Sequence, residues 1–486
     1  MSSRMNLPDL LRAGDISAPD VPSINVTSVT ADSRRACPGA VFVAIGGTRQ
    51  NGAAFIDDAC SKGAIAVVAD APVPAPVPVF TCANPRRALA LMAAYIAGPM
   101  PDRLAAVTGT NGKTSTADFI RQIWQLQGIR AASIGTLGLI GAPEGVPAPP
   151  PLTTPDPVAL SETLAVLSRV GVEGVALEAS SHGLAQDRLD GLCPTVAGFS
   201  NLTRDHLDYH GTMDAYRDAK LRLFSDILPR GAVAAINADM DPETVSAVRA
   251  IAQARGHHLR TVGHAGETLR LVAATPRPHG QILDIEANGQ RHEVEIPLPG
   301  RFQADNVLLA AAMAAARDKE FALDLLPCLQ GVRGRMELAA TLPNGAAAYV
   351  DYAHTPDALE RLLSSLRPHA RGRLVVVFGA GGDRDRGKRP VMGDVAARHA
   401  DLAIVTDDNP RTERPEAIRA EIMAACPGAR EIGDREAAIA AGLEKLSGGD
   451  VLVVAGKGHE PGQIVGTEVL PFDDRAVIRR RAGIAA

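Results

Sequence analysis

Thr108-Gly109-Thr110-Asn111-Gly112-Lys113-Thr114-Ser115 follows the apolar run Leu104-Ala105-Ala106-Val107 and precedes a segment where Phe119, Ile123 and Leu126 recur at helical spacing. Gly128 supplies a helix stop. Strand, glycine loop and helix in that order let backbone N–H groups and a helix N-terminus cradle phosphate. Gly109 and Gly112 allow close approach of the backbone to an anion. Lys113 offsets charge on terminal phosphates, and Thr114 can reach Mg²⁺. The longer pattern G-x-x-x-x-G-K-[ST] would need glycine at position 107, where Val107 stands, so this is a shortened phosphate loop.

Around that loop, 486 residues predict about three domains. A hydrophobic fraction of 46% is ample for packed cores, and 22% charged residues is ordinary for a soluble chain. A net charge of −5 and only 3% aromatic residues argue against a nucleic-acid footprint or base-stacking platform. The six cysteines are scattered without a C-x-x-C pair, which suits a reducing compartment better than zinc or a disulfide scaffold. Met1 to Pro8 has no signal-peptide apolar core, and no apolar run is long enough to span a bilayer. A cytoplasmic enzyme that engages neither nucleic acid nor membrane is expected.

Before the loop, Ala40–Ile45 and Ala64–Val68 read as strands with a helix at Ala53–Lys62 between them. Pro72–Pro78 is a stiff connector, Leu89–Ile96 a helix, and Gly98-Pro99-Met100-Pro101 a boundary. The polar turns Asp32-Ser33-Arg34 and Gly46–Gly52 suit either surface turns or ligand loops.

After the loop, the strand Gly174–Glu178 ends in an acid, which suits a Mg²⁺ ligand beside a phosphate site or a strand end in solvent. His206 and His210 have zincin spacing, but Leu207 stands where the catalytic glutamate belongs, so zinc hydrolysis is set aside. Lys220 falls in a probable helix, where a lone lysine is ordinarily solvated. Residues 267 to 298 alternate as a few antiparallel strands, and an Ala-rich helix spans Val307–Ala316.

A third α/β region begins near 333. Its strands Leu374–Phe378, Ala403–Val405 and Val451–Ala455 end at Gly379–Arg384, Thr406–Arg411 and Gly456–Glu460. In G-x-G-x-x-G the third glycine would fall at Arg384, so dinucleotide binding is rejected. Ligands of open parallel sheets lie outside the carboxyl ends of the strands. Arg384, Arg411 and Glu460 there would hold carboxylates and an ammonium, or form a solvated charge cluster.

With these segments in order, the chain resembles the Mur ligases, ATP-dependent amide-forming enzymes of peptidoglycan synthesis. The resemblance rests on Thr108–Ser115 (TGTNGKTS), Glu178–His182 (EASSH), Asn201–Gly211 (NLTRDHLDYHG) and Asp351–Pro356 (DYAHTP). It continues through Gly379–Pro390 (GAGGDRDRGKRP), Asp408–Arg411 (DNPR) and Gly456–Glu460 (GKGHE), and so covers essentially the whole chain. DNPR with GKGHE resembles the members that add meso-diaminopimelate.

The resemblance implies three α/β domains: a UDP-substrate-binding domain over 1–101, a central ATPase over 102–332 and a Rossmann-like ligase domain over 333–486. Gly109 to Ser115, Asn306, Arg335 and Asp351 would seat ATP. Ala31, Ser33 and Thr48-Arg49-Gln50 would touch the uridine diphosphate, and Thr153, Thr154, Ser180, Gln186 and Arg188 the muramoyl-dipeptide. Thr114, Glu178, His206 and Lys220, the last as a CO₂-derived carbamate, would hold Mg²⁺; Lys113, Glu178, His206 and Lys220 would be the catalytic set. A carbamate is anionic and can bridge to a cation where an ammonium would repel it. Arg384, Asp408, Asn409, Pro410, Arg411, Gly456 and Glu460 would take the diaminopimelate. A monomer acting on UDP-N-acetylmuramoyl-L-alanyl-D-glutamate is expected. The alternatives are a lysine-adding or folate polyglutamylating relative, which should lack DNPR, and a regulatory phosphate-loop NTPase needing no second substrate. Ala179 and Pro461-Gly462 depart from the family's usual residues.

Overall fold

The computed structural model describes residues 5–18, 21–47, 51–277, 279–316 and 320–484. It forms two compact units, Met1–Leu269 with Leu308–Phe321, and Arg270–Val307 with Ala322–Ala486.

The first unit opens with a sheet of β1 (Ser28–Thr30), β2 (Ala40–Val43), β3 (Ala64–Ala69) and β4 (Val79–Thr81), parallel and in that order. β2 is buried along its whole length, which is why it is uniformly apolar instead of alternating. Helices Leu7–Ala13 and Pro85–Ala97 close one face around Val41, Val43 and Met92, while Phe42, Ile56 and Val67 fill the other. The segment expected as one helix over 53–62 is a 3₁₀ turn, Gly52–Phe55, followed by Ile56–Ser61. The helix expected from Leu89 starts earlier, at Pro85, because Asn84 caps it through the Arg87 N–H at 3.1 Å.

The larger sheet of this unit contains β5 (Arg103–Thr108), β6 (Ala131–Gly135), β7 (Gly138–Ile140), β8 (Gly174–Glu178), β9 (Val196–Phe199), β10 (Val233–Asn237) and β11 (His258–Gly263). They lie in the order β11-β10-β9-β5-β8-β6-β7. All neighbours are parallel except β7, which runs antiparallel to β6. Leu104, Leu177, Phe199 and Ile236 join one apolar core. β5 is central, and the register Val107↔Glu178 and Thr108↔Phe199 brings three strand ends side by side.

The second unit carries the antiparallel strands β12 (Leu269–Arg277), β13 (Gly280–Ala287) and β14 (Gln290–Ile296). The Ala-rich helix runs over Arg301–Ala314, starting six residues before the expected Val307, and its residues from Leu308 belong to the first unit. A six-stranded sheet follows, made of β15 (Glu337–Thr341), β16 (Ala347–Asp351), β17 (Leu374–Phe378), β18 (Leu402–Val405), β19 (Arg430–Glu431) and β20 (Val451–Ala455). Its order is β15-β16-β20-β17-β18-β19, parallel except for β15. Helices Pro356–Leu366 and Lys388–His399 flank one face, and Arg435–Glu444 and Asp474–Arg481 the other. A hairpin of β21 (Gly462–Val465) and β22 (Glu468–Pro471) completes the unit. Among the described residues no helix is long and apolar enough to cross a membrane.

Candidate active site

The phosphate loop is built between two strand ends. β5 delivers Gly109 with φ 144°, where an added Cβ would strike the Ser200 hydroxyl beyond β9. The loop is stitched to that neighbour: Thr110 N donates to Asn201 O at 2.8 Å, and Ser200 Oγ donates to Asn111 O at 2.6 Å. Asn111 N donates to Asn201 Oδ1 at 3.0 Å. The Thr110 hydroxyl donates to Thr203 O at 3.1 Å and lies 3.2 Å from the Tyr216 hydroxyl. Helix Lys113–Leu126 then starts at Gly112 with no side-chain cap, leaving its first N–H groups for an anion. Asn6, Asn84, Asp156, Thr355 and Asp434 cap other helices, while Lys388–His399 and Pro415–Met423 also start without a side-chain cap. Lys113 Nζ donates to the Gly109 and Thr110 carbonyls, both at 2.9 Å.

Glu178 is 2% exposed, so the reading of a solvated strand end fails. Its Oε1 accepts from Thr136 N at 2.8 Å, and the carboxylate packs so closely on Gly135 that any side chain there would collide with it. Glu178 and Thr114 line one small cavity with Asp118, Ser133 and Gly138.

Lys220 differs from its sequence reading more sharply. It is 1% exposed, lies 4.4 Å from the Tyr216 ring centroid and donates to Gly109 O at 2.8 Å. Burial, and then the neighbouring Lys113 ammonium, pull its pKa well below the usual lysine range. His206 is in the left-handed region, φ 50°, with its ring 4.8 Å from His182 and 6.2 Å from Tyr216. Among the described residues no group of three or more His, Cys, Asp or Glu side chains converges on a metal position.

A second cluster radiates from the backbone of Glu178. Thr154 Oγ1 donates to Glu178 O at 2.7 Å and lies 3.0 Å from Ser180 Oγ, which caps the short helix Ser181–Ala185. Arg188 donates to Thr154 O and to Gln186 Oε1, each at 2.7 Å, and Gln186 donates to the Tyr209 hydroxyl at 3.2 Å. Thr153 Oγ1 lies 3.0 Å from the Thr136 hydroxyl. The fold thus gathers Thr153, Thr154, Ser180, Gln186 and Arg188, together with Thr136 and Tyr209, which sequence reasoning missed. Tyr209 sits inside the quoted NLTRDHLDYHG stretch; Thr136 has no motif signal. Ser33 is buried in a turn that Asp32 caps through Arg34 N at 3.0 Å, and Ala31 beside it is exposed. Thr48, Arg49 and Gln50 lie outside the described residues.

In the second unit, Asp351 accepts from Met336 N at 2.7 Å and Ala353 N at 2.8 Å. Burial raises its pKa against the pull of Arg335. The Arg335 guanidinium stacks 4.7 Å from the Tyr352 ring centroid. Buried Asn306 donates to Gln303 Oε1 at 3.1 Å.

The carboxyl ends of β20, β17 and β18 adjoin, so their loops form one surface. The GAGG glycines serve close packing: an added Cβ at Gly379 or Gly382 would overlap the Thr406 or Pro410 carbonyl. Arg411, with φ 52°, donates to Gly382 O at 2.8 Å, and Asn409 donates to Glu460 Oε2 at 3.0 Å. Asp408 is buried, and its Oδ2 has no hydrogen-bond partner. It lies 2.5 Å from where a Cβ on Gly456 would stand, so only glycine fits there. Arg384 is exposed and donates to the Asp383 carbonyl at 3.3 Å. Asp408 to Arg411, Gly456 and Glu460 therefore meet, with Arg384 on the rim.

Comparison with known proteins adds three family matches in chain order. Residues 25–98 match the Mur ligase family, catalytic domain; 107–314 the Mur ligase middle domain; and 334–458 the Mur ligase, glutamate ligase domain. A Caulobacter vibrioides protein, UDP-N-acetylmuramoyl-L-alanyl-D-glutamate–2,6-diaminopimelate ligase, is 52% identical over 93% of this chain and 94% of its own. The Mesorhizobium japonicum protein of the same name is 50% identical over 98% and 100%. A solved structure bearing that name superposes with a TM-score of 0.75 at 33% identity, covering 99% of each chain. Three matched segments in order and half-identical relatives over nearly the whole length carry the conclusion: the chain belongs to the Mur ligase family.

Proposed function

We propose that this protein joins meso-diaminopimelate to UDP-N-acetylmuramoyl-L-alanyl-D-glutamate, using ATP, in the assembly of the peptidoglycan precursor. A γ-carboxylate oxygen of the D-glutamate attacks the γ-phosphorus of ATP, ADP leaves, and an acyl phosphate forms. The diaminopimelate amine then attacks the acyl carbon. The tetrahedral intermediate expels phosphate, and the nitrogen releases a proton, leaving an amide. Positioning and electrostatics carry most of such a phosphoryl transfer.

In this reading the uncapped helix N-terminus and Lys113 receive the phosphates, with Lys113 moving off the Gly109 and Thr110 carbonyls to do so. Asn306, Arg335 and Asp351 seat the rest of the nucleotide. Thr114, Glu178, His206 and a carbamate on Lys220 would hold Mg²⁺, which would supply positive charge beside the phosphates. A buried lysine with a depressed pKa favours the neutral amine that can add CO₂. Ala31, Ser33 and Thr48–Gln50 bind the uridine diphosphate, and Thr153, Thr154, Ser180, Gln186 and Arg188 orient the dipeptide. The domains 1–101, 102–332 and 333–486 bind the UDP-substrate, the ATP and the acceptor respectively, in a cytoplasmic monomer.

The observation that supports the acceptor assignment is the junction of Asp408–Arg411 with Gly456–Glu460, the segments that follow the strands on either side of β17. Diaminopimelate differs from lysine by one carboxylate, and Arg411 can take a carboxylate bidentately. A site built for that charge is left with unpaired donors by lysine, a discrimination reaching roughly 10⁴-fold. The test is phosphate release with diaminopimelate, lysine and ornithine compared side by side. Release should require ATP, the UDP-dipeptide and diaminopimelate together, and Arg411→Ala should raise the KM for diaminopimelate without changing that for the UDP-dipeptide. Turnover with ATP alone, or an unchanged diaminopimelate KM in the variant, would refute the assignment.

A further inference from the structure

Behind the proposed acceptor pocket lies a layer of side chains to which neither the motifs nor the reaction assigns a role. Lys457 is 0% exposed, yet its ammonium touches two of the pocket residues. It donates to Asn409 Oδ1 at 2.9 Å and to Glu460 Oε2 at 3.2 Å. Asn409 Oδ1 also accepts from Ile464 N at 2.9 Å. Two donors on that oxygen fix the amide: a flipped Asn409 would turn its NH₂ against an ammonium and an N–H. Its Nδ2 consequently points to Glu460 Oε2, 3.0 Å away. Oε2 thus takes two donors, and Oε1 is the oxygen left to receive a ligand's ammonium.

β21 grips the neighbouring turn along its length. Gln463 Nε2 donates to Asp408 O at 2.7 Å, Arg411 N donates to Ile464 O at 3.0 Å, and Gly466 N donates to Arg411 O at 2.8 Å. Arg411 stands in the left-handed region, which is costly for a non-glycine residue, and these two backbone bonds hold it there. The ammonium of Lys457 also cancels the charge of Glu460. The groups left for a ligand are then the guanidinium of Arg411, with Arg384 at the rim, and Oε1 of Glu460.

We propose that Lys457 and Gln463 are positioning residues for acceptor recognition. They fix Asn409, Glu460 and the turn carrying Arg411, and thereby set the preference for an amino acid bearing an ammonium beside a second carboxylate. The inference rests on the assignment of this pocket to the acceptor.

The test uses the full chain and three forms: wild type, Lys457→Met and Gln463→Met. Both variants should raise the diaminopimelate KM roughly 10–100-fold, by analogy with the loss when residues that orient metal ligands are removed. The ratio of kcat/KM for diaminopimelate over lysine should fall at least about tenfold. The KM values for ATP and the UDP-dipeptide should stay at wild type, a split that general loss of structure would not produce. An unchanged diaminopimelate KM in the folded variants overturns the inference, as does an equal loss toward all three substrates. If Lys457→Met fails to give a cooperative melt, Gln463→Met decides alone, since its half-buried side chain leaves no unpaired charge behind. If the wild type uses lysine and ignores diaminopimelate, the substrate assignment falls, and the positioning claim stands or falls on the lysine KM of the same variants.

Discussion

At the scale of single residues, Lys220 shows what sequence periodicity leaves out. A lysine in an ordinary helical segment reads as solvated, but its amino group lies over the ring of Tyr216 one turn earlier and reaches the carbonyl of Gly109 in a loop 111 residues earlier in the chain. No local pattern encodes a contact of that range, and only the family resemblance flagged the position. Glu178 behaves similarly: its place at a strand end was legible, but its burial comes from Gly135 on the neighbouring strand β6. Arginine keeps the charge of Lys220 and cannot form a carbamate, so Lys220→Arg should lower kcat by about 10²–10³-fold, the scale for losing one charge-stabilising group. Stopped assays in buffer purged of CO₂ should also show the wild type slowing and recovering when bicarbonate returns. Full activity in the variant would remove the carbamate from the mechanism.

At the scale of elements, strands were the easiest to read because buried parallel strands are continuous apolar runs; β5, β17 and β20 all appeared as such. Helix starts were harder. The Asn84-Pro85 cap was in the sequence but lacked an apolar periodic residue beside it, and the helix from Arg301 begins in a polar stretch. Least legible was the docking of the helix Asp474–Arg481 on Arg435–Glu444. It centres on Arg435 and Asp474, both 0% exposed and joined by two bonds of 2.7 Å. Arg435 also donates to Ala455 O at 3.1 Å, at the end of β20, just before Gly456. Removing one partner strands a buried charge, so Asp474→Ala should cost about 3–5 kcal/mol, whereas replacing both residues with leucine should cost much less. Denaturant melts of the single and double variants measure the difference; equal losses would mean that the pair's packing, not its charge, matters.

At the scale of the whole molecule, the alternating α/β order was visible in the sequence, but the pairing of strands across long intervals was not. Nor was the charge cluster that ties the first hundred residues to the larger sheet. Arg222 pairs with Asp187 at 2.8 Å and Asp190 at 3.3 Å; Arg87 reaches Asp190 at 3.5 Å, and Asn84 donates to Asp187 at 3.1 Å. Burial pushes the Asp190 carboxyl up to about 6, against the opposing pull of Arg222. A carboxyl raised above its unfolded value holds its proton in the folded chain first, so stability falls as pH rises from about 4 to about 6 and then levels. Asp190→Asn lacks that titration. Its melting temperature relative to wild type should therefore climb across the same interval and stay flat above it. A pH-independent difference would show that Asp190 titrates alike in both states.

The strand order of the second unit has one more consequence, for synthesis. The strands that frame the phosphate loop, β5, β8 and β9, are complete by Phe199, whereas β20 lies between β16 and β17 although it is translated after both. Domains fold broadly in the order they leave the ribosome. A growing chain thus has the strands that frame its phosphate loop long before the floor of its acceptor pocket. Until Val451–Ala455 emerges, β16 and β17 each face the nascent chain with an unpaired edge that only a later strand can fill.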